Sequence, residues 1–62
     1  MLYQVHSSFG CSTFSTETDG IKAFWLLAPY HDIHVDEQAI KRALEKEGFY
    51  EAYPLSIVKC EA

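Results

Sequence analysis

A chain of 62 residues forms one domain with a thin core, since folding at this size buries only about 60% of the surface that the unfolded chain exposes. Nine acids against five bases give a net charge of −4, which disfavours general affinity for phosphate backbones. The longest apolar run, Ala23 to Pro29, is far short of the ~20 residues of a membrane-spanning helix. No basic-then-apolar leader follows Met1, so a cytoplasmic protein with no membrane association is expected.

Leu2 to Ser7 reads as a strand, with Tyr3 and Val5 on one face and Gln4 and His6 on the other. Ser8-Phe9-Gly10 is a turn signal, and the Thr-rich run Ser12 to Thr18 suits a half-exposed strand. The next stretch reads two ways. Asp19-Gly20 is a hairpin signal. On that reading residues 21 to 28 return as a strand, with Glu17 facing Lys22 and Phe14 facing Trp25 as sensible cross-strand pairs. The alternative is a helix over residues 17 to 28, capped by Thr16 and ended by Pro29, with Ile21, Phe24, Trp25 and Ala28 on one side. Gly20 costs such a helix up to ~1 kcal/mol. The agreement of turn chemistry and charge pairing favours the hairpin.

Tyr30 to Val35 is a connector. The strongest element follows, a helix bracketed by Asp36 as N-cap and Gly48 as a left-handed ending. Val35 and Ile40 suit a hydrophobic staple, and Phe49 suits packing back on Leu44. Glu37 and Lys41 make a favourable pair one turn apart. Tyr53 to Glu61 reads as a strand that Pro54 opens, with Leu55 and Ile57 on one face and Val58 and Cys60 on the other. The predicted fold is therefore α+β: an antiparallel sheet of three to four strands in the order β-β-β-α-β, with one amphipathic helix on one face. Its stripe Ala39, Ile40, Ala43 and Leu44 would pack on Tyr3, Val5, Phe14 and Trp25. The alternative order is β-α-α-β with residues 17 to 28 helical.

Ligand-like residues cluster at His31-Asp32-Ile33-His34. His31 and His34 are weak metal candidates, because zinc sites take three or four protein ligands and no Cys-x-x-Cys or His-Glu-x-x-His spacing is present. His6 and Cys11 can meet across the first turn, yet no nucleophile elbow or glycine-rich oxyanion loop accompanies them. No enzyme activity, cofactor or metal is expected. Cys11 and Cys60 are expected as unpaired thiols, with Cys60 buried as a small hydrophobe.

Nine aromatic residues, each able to bury roughly 150–250 Å², exceed what one thin core can hide. With the acidic balance, they point to a small acidic protein that binds and inhibits or modulates another protein carrying a basic surface. A nucleic-acid-binding enzyme offers such a surface, so a phage-type inhibitor or antitoxin-like role is expected. The candidate binding residues are Asp36, Glu37, Glu45, Glu47, Tyr50, Glu51 and Tyr53, with Glu61 nearby in sequence. The alternatives are a small nucleic-acid-associated regulator, dimeric and using Lys22, Lys41, Arg42 and Lys59, or a metal-binding module using His31 and His34. In layout, the run Thr13-Phe14-Ser15-Thr16-Glu17 resembles the strand-to-helix entry of phage integrase arm-binding domains. Asp36 to Ile40, Gly48-Phe49 and Ile57 to Cys60 are similar in order to a small phage inhibitor of bacterial RNA polymerase. These likenesses are of layout, and no family is assigned from them.

Overall fold

In the computed structural model, residues 1–60 are described. The chain runs β1 (Leu2–Ser7), β2 (Gly10–Phe14), α1 (Glu17–Leu27), a 3₁₀ turn (Ala28–His31), α2 (Glu37–Glu47), β3 (Phe49–Ala52) and β4 (Leu55–Cys60). The sheet is four-stranded and antiparallel in the order β2-β1-β4-β3. The α+β class is as the sequence predicts. The element order is β-β-α-α-β-β, which corrects the expected β-β-β-α-β, and two helices cover the sheet where one was expected.

The correction lies at Asp19-Gly20, which sits inside α1 and makes no hairpin turn. The Thr16 hydroxyl accepts a hydrogen bond from the Asp19 N–H at 3.2 Å, and Glu17 and Asp19 place negative charge at the positive end of the helix. Gly20 serves close packing. A Cβ at this position would stand 3.0 Å from Tyr3 Cβ and 3.4 Å from Ile57 Cδ1, so glycine lets α1 lie directly on β1 and β4. Ile21, Phe24 and Ala28 follow it into the core. The expected partners across the hairpin are thus separated. Phe14 ends β2 opposite Tyr3, and Trp25 points outward, 45% exposed. The layout of strands leading into a first helix comes from β1 and β2 alone.

Helix α2 forms as its signals dictate. The Asp36 carboxylate accepts from the Gln38 N–H at 3.1 Å. Gly48, at φ +83°, turns its N–H onto the Ala43 and Leu44 carbonyls at 3.2 and 3.1 Å. Ile40 and Leu44 are buried. They meet a core different from the one expected, because α1 spans the centre of the sheet and α2 packs beside it against α1 and β3. Phe49 does not fold back on Leu44. It enters β3 and turns to the uncovered face of the sheet, 49% exposed.

The expected last strand forms as β4, and β3, which was not expected, pairs with it to make a hairpin. Phe49–Ala52 and Leu55–Cys60 pair around the Tyr53-Pro54 turn, whose peptide bond is cis. Leu55 and Ile57 face the helices and are fully buried, while Val58 and Cys60 occupy the other face, half-buried. The core is Tyr3, Val5, Ile21, Phe24, Ala28, Ile40, Leu44, Leu55 and Ile57, with no buried polar or charged side chain among the described residues. β1 and β4 form its central pair, with Leu2 opposite Cys60 and His6 opposite Ser56.

Candidate interaction surface

The strand register gathers both hairpin turns at one end of the sheet. Ser7 pairs with Gly10 beside the Ser8-Phe9 turn, Ala52 pairs with Leu55 beside the Tyr53-Pro54 turn, and His6 opposite Ser56 aligns the two hairpins. Helix α1 starts after Phe14 at the far end and delivers the 3₁₀ turn to this end. Three exposed rings therefore lie at this end of the sheet: Phe9 is 72% exposed, Tyr30 76% and Tyr53, in the turn towards the other edge, 90%. Phe9 and Tyr30 meet edge to face, with centroids 6.3 Å apart and planes at 89°. Phe9 also lies 5.3 Å from the His31 ring. Ser8 Oγ stands 3.5 Å from His31 Nε2, and the Phe9 N–H donates to Ser7 Oγ at 3.1 Å. Contacts of this kind restrict the rotation of Phe9 and Tyr30, and restriction before binding lowers the entropy lost on binding. Asp32 follows His31 in the chain and Glu51 lies in β3 two residues before Tyr53, and both are exposed.

The sequence-predicted residues divide into separate roles. Asp36 is occupied as the cap of α2. Tyr50 turns to the helix side of the sheet, where its ring meets Phe24 edge to face at 5.7 Å. It is thus a core-packing residue, since its position in β3 alternates inward opposite Ile57. Tyr53 is at the exposed turn. Glu37, Glu45 and Glu47 are exposed on α2, and Glu51 lies on the uncovered sheet face opposite Ser56. The acids therefore spread over α2 and one sheet edge, and do not gather around Tyr50 and Tyr53. Glu61 lies outside the described residues. Phe9 and Tyr30 were missed as candidates. A signal was present, because a bulky ring in a two-residue turn, or just after Pro29 in a connector, has no sheet face to enter.

The two connector histidines diverge. His31 faces Phe9 and Ser8, whereas His34 lines a shallow groove of about 190 Å³ with Trp25, Pro29, Ile33 and Val35. Cys11 and His6 do meet, paired across β1 and β2 with Sγ 3.9 Å from Nε2. Among the described residues no three His, Cys, Asp or Glu side chains gather to hold a metal ion. Of the basic residues, Lys22, Lys41, Arg42 and Lys46 are exposed on the helices, and Lys59 lies in the central strand β4 opposite Tyr3. Glu17 and Glu37 border Lys41 in the groove between the two helices, so the positive charge there is interleaved with negative charge. No helix is long and apolar enough to cross a membrane among the described residues. Compared with protein-family models, curated proteins and solved structures, the chain matches none.

Proposed function

We propose that this chain is a small acidic, non-enzymatic interaction protein that docks on another protein with a basic surface and inhibits or modulates it. The observation that carries this reading is the aromatic end of the sheet, where Phe9, Tyr30 and Tyr53 stand exposed and Phe9 and Tyr30 brace each other. Interface anchors are typically aromatic, surrounded by contacts that exclude water. The net charge of −4, to which the exposed Asp32 and Glu51 contribute, favours approach to a cationic surface. A nucleic-acid-binding enzyme is one protein class with such a surface, so phage-type inhibition or antitoxin-like neutralisation is the biological form this reading takes.

The test begins with the protein immobilised in extract from its native cell, the retained protein being identified and purified. Binding kinetics are then measured for the wild type and for Phe9→Ala, Tyr30→Ala and Tyr53→Ala. The expected result is faster dissociation for at least one ring, by an amount on the order of 2 kcal/mol for an anchor. Wild-type affinity in all three folded variants would overturn the aromatic end as the docking surface.

A further inference from the structure

The two edges of the sheet are unequal. β3 has four residues, carries the charge of Glu51 and ends at the Tyr53-Pro54 turn. β2, on the other edge, reads Gly10-Cys11-Ser12-Thr13-Phe14, and its first four residues are exposed. It contains no charge and no proline, and Ser15 and Thr16 after it add none. Natural sheets blunt their edges with lysine, proline, bulges or inward charges, because an open edge presents unpaired N–H and C=O groups to any extended chain. β2 carries none of those residues, and β1 satisfies just one of its sides.

We propose that β2 pairs antiparallel with β2 of a second copy, about a two-fold axis at Ser12, joining the two sheets into one. Centring on Ser12 is the register that pairs every residue of the strand. It sets Cys11 opposite the partner's Thr13, and Gly10 opposite the partner's Phe14. Paired residues point to the same face of a sheet, and Phe14, Ser12 and Gly10 share the face of Tyr3 and Val5 that meets the helices.

On that face, beside Gly10, is a cleft of about 220 Å³ lined by Val5, Phe9, Gly10, Ser12 and Leu27. Gly10 contributes no side chain there, and a Cβ at this position would meet nothing within 4 Å. The partner's Phe14 lies across from this opening, where an aromatic ring can cover an edge glycine. Phe14 is half-buried in the single chain and would lose its remaining exposure in the pair. Charge is consistent with the same contact. Two copies at −4 each repel on average, but this edge brings no like charges into opposition. The contact adjoins the docking surface proposed above, since Phe9 also lines this cleft, but it rests on β2 and needs neither Tyr30 nor Tyr53.

The experiment is sedimentation of the full chain from micromolar to millimolar concentration. The expected result is a doubling of mass across that range. Thr13→Lys places an ammonium on the open edge and should remain monomeric, while Thr18→Lys on α1 should dimerise like the wild type. Circular dichroism establishes that each variant is folded. Register is read by cross-linking in a Cys11→Ser, Cys60→Ser background. Ser12→Cys, on the axis, should give a disulfide-linked dimer with oxidised glutathione, and Thr13→Cys should give far less. A wild type that stays monomeric, including one that recruits a different protein's strand, overturns the proposal. So does a Thr13→Lys dimer, or cross-linking that favours position 13 over position 12.

Discussion

Gly20 of α1 rests directly on Tyr3 of β1, so closely that a methyl group at position 20 would lie 3.0 Å from the Tyr3 Cβ. The neighbour is an atom tied to the central strand, and it cannot swing aside as the end of a long side chain would. Gly20→Ala therefore sets two effects against each other. Alanine is favoured over glycine by about 1 kcal/mol within a helix, whereas forcing one extra carbon into a packed contact costs about 1–3 kcal/mol. We expect net destabilisation, with a larger loss for Gly20→Val. Urea denaturation of the three proteins checks this, and a more stable Gly20→Ala protein would show that α1 lifts readily from the sheet.

Helix α2 permits a comparison of a surface cap with a core contact. Asp36→Ala removes the acceptor for the Gln38 N–H and should cost about 1 kcal/mol. Leu44→Ala empties a site where the side chain is 1% exposed and should cost ~2–5 kcal/mol. Equal melting of Leu44→Ala and wild type would contradict the packing of α2 described above.

Tyr50 and Tyr53 should behave oppositely although they are near neighbours in sequence. Tyr50→Ala removes the ring that meets Phe24 and should destabilise the fold by about 2 kcal/mol. Tyr53→Ala alters a residue that is 90% exposed and should leave stability within about 0.5 kcal/mol. Thermal melts of the pair decide this, and the reverse order would invert the assignment of core and surface in β3 and its turn.

Charge reversal at Glu45, Glu47 and Glu51 tests the electrostatic half of the proposed function. All three are exposed, so the variants should fold. If these acids steer the chain to a cationic partner, reversal should slow association, and salt should weaken it in the wild type because exposed charges are screened beyond ~8 Å at physiological ionic strength. Stopped-flow association at two salt concentrations reads both effects. Rates independent of salt and charge would leave steering without support.

Cys11 is exposed and Cys60 half-buried, both free. Alkylation of freshly purified protein without reductant should add two labels by mass, Cys11 reacting first. Absence of labelling would indicate oxidation of both thiols.

The sequence made α2 legible because Asp36 and Gly48 act locally, each satisfying backbone groups within its own helix. The class was legible too, since the alternation of Tyr3 with Val5 and of Leu55 with Ile57 needs nothing beyond the strand that bears it. Asp19-Gly20 misled for a physical reason. Glycine answers to a turn and to a close approach alike, and Tyr3, the residue that requires the close approach, is distant in sequence. The same holds for Tyr50, whose inward orientation depends on its pairing with Ile57. The exposed rings of Phe9 and Tyr30 were readable in principle from the turn and connector that hold them. Their mutual contact was not, because it joins segments brought together by the fold.

The pairing of Leu2 with Cys60 places the first and last described strands side by side, at the end of the sheet away from Phe9 and Tyr53. A tether attached beside Leu2 or at Cys60 thus holds the molecule by the same pole, and on a sensor chip it presents the ring-bearing end outward. The two described strand ends are also close enough for a short peptide to join them. The chain can then be reopened in the exposed stretch near His34, giving a circular permutant whose aromatic end is built from the same contacts.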